Sequence, residues 1–251
     1  MGSFWRSQFR ECNQGSVLKL PVAILAGGLA TRLRPITEKI PKALVQVAGK
    51  PFVFHQLDWL QRQKVKRVVL CVGYLGEMIR KQVGSGERWG IEIKYSLDGE
   101  KLLGTGGALK KAMPLLGKAF FVFYGDSFLP IHFLPVETAY KASGKPALMT
   151  FLKNQGRWDR SNVEAVNGKL VSYNKKNPSP SAEHIDYGLG ILSAEVLKGR
   201  SKTDAFDLAD VYQELSQKGD LASLEVVHRF YEIGSKEGLA ETEKFLRSPI
   251  L

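Results

Sequence analysis

The segment Ala23 to Arg34, AILAGGLATRLR, gathers residue types that grip a phosphate. Gly27 and Gly28 have no side chains, so their amides can come close to an anion. Arg32, on the far side of the same turn, adds a planar fork of donors matched to phosphate oxygens. The plain alternative is a tight strand-to-loop connection with its arginines in water. Dense glycines, an arginine and a preceding strand occurring together favour the phosphate grip. Pro41-Lys42 follows closely, and a lysine after a restrained turn can neutralise a triphosphate, hold a departing pyrophosphate, or stay solvated. The cluster Gly104-Thr105-Gly106-Gly107 can wrap a nucleobase, present amides to an anion, or only begin a helix. Neither a Walker loop nor the spaced-glycine dinucleotide fingerprint is present, which leaves a kinase or a dehydrogenase with weak support.

These groups need a scaffold. Val22 to Ala26 reads as a short buried strand, and further strands are expected at Arg67 to Val72, Ile91 to Tyr95, Ala119 to Tyr124, Ala147 to Phe151, Ile185 to Leu192 and Arg229 to Ile233. Apolar spacing predicts helices over Pro51 to Arg62, Tyr74 to Val83, about Gly107 to Leu116, Pro135 to Lys141, Asp207 to Ser216 and Lys236 to Leu246. The alternation predicts parallel strands covered by helices. The strand Ala119 to Tyr124 delivers Gly125 and Asp126 at its carboxyl end, where open α/β sheets place ligand chemistry, which makes Asp126 the first acidic residue to test. Val163 to Tyr173 reads as a hairpin around Asn167-Gly168, and Asn177 to Ala182 as a loop. A single domain is expected over residues 21 to 251, with residues 1 to 20 an extension lacking a signal-peptide core.

The formal net charge of +11 favours anionic ligands. The excess is spread along the chain, without an arginine-rich arm, paired metal-binding cysteines or a stacking platform, and so points to small anions rather than nucleic acid. No run approaches the roughly 18 apolar residues of a membrane span. Cys12 in the tail and Cys71 in an apolar strand argue against a disulfide framework and fit the reducing cytoplasm. His55, His132, His184 and His228 lack a ligand pattern and read as structural or incidental, with proximity to the carboxylate site the alternative for His228, and Phe120, Phe121 and Phe123 read as core.

LAGGLATRLRP, PKALVQVAGKP, LGTGGAL and the strand ending YGDS follow one another in order, accompanied by VGYLGEMI and EIGSKEGL. Together they resemble the signatures of bacterial sugar-phosphate nucleotidyltransferases over about residues 22 to 248. Among branches the chain is most similar to the heptose-1-phosphate guanylyltransferase type, with a muramate-phosphate uridylyltransferase type as the nearby alternative. The resemblance implies a Rossmann-like three-layer α/β/α sandwich of the nucleotidyltransferase (glycosyltransferase-A-like) type, with a mainly parallel mixed central sheet. It implies nucleotide binding by Leu25, Ala26, Gly27, Gly28, Arg32, Lys42, Gly104, Thr105, Gly106 and Gly107, and Mg²⁺ ligation by Asp126. Lys176 falls where the family places a lysine beside the sugar phosphate, with Lys175 as a competing contact. Asp186 and Gly188 are expected on the sugar side, Asp186 either accepting from sugar hydroxyls or standing as a strand-edge carboxylate.

Three departures accompany the resemblance. Glu232 stands where relatives have an aspartate and is retained as a second metal ligand, its extra methylene shifting the geometry. Ala30 replaces a loop glycine, tolerable if its backbone angle is ordinary. Tyr124 replaces a polar residue before Gly125. The implied reaction joins a nucleoside triphosphate, GTP foremost, to a sugar 1-phosphate and releases pyrophosphate. Arg32, Lys42, Asp126 and Lys176 would do the catalytic work by neutralising charge, with Mg²⁺ on Asp126 and Glu232. The departures also admit a catalytically weakened nucleotide-sensing protein. Expected partners are the two substrates and a second copy of the chain as a homodimer, with no membrane.

Overall fold

The computed structural model describes residues 18–99, 101–201 and 204–248. Met1 to Val17, including Cys12, lie outside the described residues. Leu18 already packs in the core, and Lys19 N donates to Glu137 Oε2 at 3.1 Å.

Apart from a short antiparallel pair, Gln46–Val47 with Lys50–Pro51, the strands in chain order are β1 (Val22–Leu25), β2 (Arg67–Val72), β3 (Glu92–Leu97), β4 (Ala119–Tyr124), β5 (Ser127–Phe128), β6 (Ala147–Lys153), β7 (Val163–Val166), β8 (Lys169–Tyr173), β9 (His184–Ser193), β10 (Leu221–Val226) and β11 (Tyr231–Glu232). The principal helices are α1 (Phe52–Arg62), α2 (Gly76–Val83), α3 (Gly104–Leu116), α4 (Phe133–Ser143), α5 (Leu208–Gln217) and α6 (Lys236–Leu246). A nine-stranded sheet forms the middle layer. Strands β3, β2, β1 and β4 lie side by side and parallel. Strand β9 runs antiparallel to β4 on one side and to β6 on the other, and β10 closes the edge parallel to β6. The sheet is therefore mixed, and the sandwich is Rossmann-like, as expected.

Side chains alternate across this sheet, as a strand requires when both faces are covered. Val22, Ile24, Val68, Leu70, Phe121 and Phe123 enter one core with α1, α2 and α4. Ala23, Val69, Cys71, Phe120 and Val122 enter the other with α3 and α5. Cys71 is a packing residue, and burial pushes its thiol up to about 12.

Strand β1 is the topological switch. The chain leaves it for β2 and β3 on one side and returns to β4 on the other, which opens a crevice beyond the carboxyl ends of β1 and β4. Leu25 is in register with Cys71 on one side and Tyr124 on the other. The 163–173 hairpin forms as expected, with Asn167 at φ 51° and Gly168 at φ 71°. Strand β10 departs from the expected pattern. LASLEV carries only weak alternation, and its strand state comes from the exposed edge that β6 offers it. The expected strand at Arg229 to Ile233 shortens to β11, which pairs with β5 rather than the main sheet. Helix α3 begins at Gly104, three residues before its apolar pattern.

Candidate active site

The crevice beyond β1 and β4 is a cleft of about 240 Å³, lined by Leu25, Ala26, Gly27, Gly28, Lys42, Gly104, Thr105, Tyr124 and Asp126 among others. Chain segments separated widely in sequence, the glycine and lysine motifs among them, thus meet at the ends of the strands. Lys42 sits on a 3₁₀ turn after Pro41, anchored by the buried Ala43 and Leu44. Its Nζ lies 3.0 Å from Asp126 Oδ2, with the two side chains 18% and 36% exposed. Ser127 Oγ donates to the other Asp126 oxygen at 3.3 Å.

Arg32 follows Ala30 on a single 3₁₀ turn. Ala30 has φ 51° and ψ 43°, in the left-handed region that suits glycine, so the angle is not an ordinary one and the methyl group is strained. Thr37 Oγ1 ties the loop down by donating to Ala30 O at 2.8 Å. The exposed Arg32 reaches toward Gly234, where an added Cβ would stand 3.1 Å from Arg32 Nη2, 3.5 Å from Lys42 Nζ and 2.6 Å from Glu232 Oε2.

Glu232 is brought beside Asp126 by the β5–β11 ladder, in register with Ser127, and Ile233 N donates to Asp126 O at 2.9 Å. Its carboxylate, however, turns into the start of α6. Oε2 accepts from Gly234 N, and Oε1 accepts from Ser235 Oγ at 2.6 Å. A helix N-terminus attracts a carboxylate, and the extra methylene of glutamate supplies the reach. The second-ligand expectation thus meets a carboxylate whose two oxygens are already accepting.

The Gly104–Gly107 run also differs from a simple base cradle. Gly104 and Thr105 line the cleft, whereas Gly106 N and Gly107 N donate to Phe206 O at 3.0 and 3.4 Å. A Cβ on Gly106 would overlap the Phe206 ring, and one on Gly104 would come within 2.6 Å of Phe206 O. These glycines let the strap before α5 lie on the start of α3. Thr105 Oγ1 donates to Asp207 Oδ1 at 2.7 Å, and Lys175 Nζ reaches Asp207 Oδ2 at 3.4 Å. Lys176 Nζ bonds Asp210 Oδ1 at 2.6 Å, which raises its pKa. Both lysines are therefore held by the first turn of α5.

Asp186 lies on β9 with its Oδ1 accepting from Gly188 N at 2.9 Å. Gly188 has φ +90°, and a Cβ there would stand 3.0 Å from the Tyr124 ring, so Tyr124 links the cleft to the Asp186 side. Burial pushes the Asp186 carboxyl up to about 6, against the opposing pull of the Gly188 amide, Lys175 and the Tyr124 phenol.

One lining residue escaped sequence reasoning. Asp98, only 8% exposed, directly follows β3 at its carboxyl end, as Asp126 follows β4 after Gly125. Its Oδ2 accepts from Leu103 N at 3.3 Å and would lie 3.1 Å from a Cβ on Gly73 and 3.4 Å from one on Gly27. Burial raises its pKa. The available signal was the strand-end rule that selected Asp126. The histidines stand apart from this chemistry; His55 Nε2, for example, is 2.7 Å from Val47 O.

Residues 22–160 match the family model described as nucleotidyl transferase. The chain belongs to the nucleotidyl transferase family. It is 31% identical over 84% of its length to mannose-1-phosphate guanyltransferase beta-B of Xenopus laevis, covering 60% of that protein. The chain therefore spans about three-fifths of the length of such curated relatives. It is 29% identical to D-glycero-alpha-D-manno-heptose 1-phosphate guanylyltransferase of Campylobacter jejuni, over 85% of this chain and 94% of that one. The crystal structure of HddC from Yersinia pseudotuberculosis shares the fold, with a TM-score of 0.75 at 22% identity, covering 91% of this chain and 100% of that one.

No group of three or more His, Cys, Asp and Glu side chains among the described residues is arranged to hold a metal. The donor chemistry nonetheless fits Mg²⁺, which is commonly held by one or two carboxylates, with phosphate and water oxygens completing its shell. Asp126, partly exposed in the cleft, would supply such a carboxylate. No helix among the described residues is long and apolar enough to cross a membrane.

Proposed function

We propose that this chain transfers a nucleoside monophosphate from a nucleoside triphosphate to a sugar 1-phosphate, with GTP preferred and a heptose or related sugar as acceptor. The observation that carries the reading is the Lys42–Asp126 pair facing the Gly27-Gly28 loop across one cleft at the switch point of the sheet. A cation and a carboxylate beside glycine amides form a site for a polyphosphate and its counter-ion, with no base or nucleophile needed from the protein.

An oxygen of the sugar phosphate attacks the α-phosphorus, the bond to the bridging β-phosphate oxygen breaks, and pyrophosphate carries away the electron pair. Gly27 and Gly28 seat the triphosphate, while Arg32 and Lys42 stabilise the charge that builds on the departing pyrophosphate. Asp126 would hold Mg²⁺, which when bound supplies Lewis-acid polarisation of the phosphate oxygens. Glu232 fixes the Ile233-Gly234 turn beside Arg32 and Lys42. Lys176, with Lys175, orients the incoming phosphate after release from Asp210 and Asp207, and Asp186 accepts from sugar hydroxyls.

The preference for guanine rests on Asp98. A buried carboxylate can accept from both the ring N–H and the exocyclic amine of guanine, whereas uracil offers it a single N–H. We place the reaction in the cytoplasm, where nucleoside triphosphates are made.

The test is a matrix of common nucleoside triphosphates against sugar 1-phosphates, with Mg²⁺ and detection of pyrophosphate. Turnover fastest with GTP and a heptose or mannose 1-phosphate is expected. Faster turnover with UTP would move the reading to the uridylyl branch. Saturable nucleotide binding without turnover on any pair would favour a sensing protein and overturn the transferase reading.

A further inference from the structure

Gln56 lies in the middle of α1 and is fully buried, at 0% exposure. Its neighbours on that helix, Phe52, Val53, Leu57 and Leu60, are all apolar core residues, so packing alone would be met by an apolar side chain at this position. The amide instead points at the turn that carries Asp126. Gln56 Nε2 donates to Tyr124 O at 3.2 Å and to Ser127 O at 2.8 Å. Those carbonyls bracket Gly125-Asp126, so one side chain spans the turn from its first residue to its last.

The backbone of the same turn is held from two further directions. Gly125 N donates to Leu25 O at 2.9 Å, and Ile233 N donates to Asp126 O at 2.9 Å. Gly125 cannot be replaced there, because a Cβ would stand 2.5 Å from Leu25 O. Gln56 Oε1, by contrast, is buried with no hydrogen-bond partner among the described residues. A buried amide with one unmet acceptor is a poor stabiliser, and its value lies in the two carbonyls that it fastens.

We propose that Gln56 is a positioning residue that sets the direction in which the Asp126 carboxylate enters the cleft toward Lys42. The proposal rests on the transferase reading of that cleft. A shift of about 1 Å at a reacting centre can cost about a hundredfold in rate, so a clamp on the turn matters without touching substrate.

The test uses the full chain carrying Gln56→Met, which retains length and volume and removes both donors. Steady-state kinetics give one readout. The other is Mn²⁺ binding followed by electron paramagnetic resonance in the presence of a non-hydrolysable GTP analogue. The expected result is kcat lower by about tenfold or more, KM for both substrates within about threefold, and Mn²⁺ bound about fivefold more weakly or worse. A folded variant that preserves either kcat or Mn²⁺ affinity within about twofold overturns the proposal, since a packing role predicts only a lower melting temperature. If Gln56→Met does not fold, Gln56→Asn, whose amide is too short to span both carbonyls, is read by the same two measurements. Wild-type protein that turns over no substrate pair counts against the transferase reading, while the Mn²⁺ comparison still decides the role of Gln56.

Discussion

Lys42 Nζ and Asp126 Oδ2, 84 residues apart in sequence, meet at 3.0 Å in the cleft. The ammonium balances the carboxylate while both remain partly open to a ligand. This relationship requires the turn after β4 and the 3₁₀ turn after Pro41 to face each other, which the switch at β1 arranges.

Asp126→Asn retains the shape and removes the charge. Pyrophosphate release with Mg²⁺ is expected to fall by about a hundredfold or more, with circular dichroism unchanged. A loss below about threefold would detach Asp126 from the chemistry.

Ala30→Gly is expected to stabilise the protein. A left-handed non-glycine residue costs roughly 1–2 kcal/mol, and the added freedom of glycine in the unfolded chain returns about half of that. The melting temperature should rise by roughly 1–4 °C. An unchanged or lower value would show that the loop carries no strain at Ala30.

Gly106→Ala places a methyl group in the Phe206 ring and is expected to destabilise by about 1–3 kcal/mol, read by urea unfolding. Combining it with Phe206→Ala should cost less than the sum of the two single changes, because the strap then makes room. Strict additivity would contradict the contact.

Asp98→Asn offers a donor where guanine needs an acceptor. The kcat/KM for GTP relative to UTP should drop roughly tenfold to a hundredfold. An unaltered ratio would remove Asp98 from base selection.

Asp186 has its folded pKa pushed up to about 6 by burial, against 3.8 for a freely solvated aspartate. The folded state then binds the proton more tightly than the unfolded state. Stability contributed at this position is present at low pH and is lost as pH rises from about 4 through about 6. Asp186→Asn lacks that titration, so the variant should gain on the wild type between pH 5 and pH 7 in urea unfolding. A pH-independent difference would refute the shift.

The sequence by itself determined the strands Arg67–Val72 and Ala119–Tyr124, the hairpin at Asn167-Gly168 and the cleft residues Gly27, Gly28, Lys42 and Asp126. Each is legible because it follows from local chemistry: apolar runs, turn residues with positive φ, glycines before a loop, and the strand-end rule. Tertiary structure alone decided the rest. Strand β10 exists because β6 presents an edge to it, and the Gly104–Gly107 run is explained by a strap about a hundred residues later whose Phe206 presses on it. Glu232 aims at the α6 start because two backbone and hydroxyl donors wait there, and Gln56 clamps the Asp126 turn through carbonyls that no side-chain pattern encodes. Direction and partnership of polar groups depend on which segments fold beside them, and that information is distributed over the whole chain.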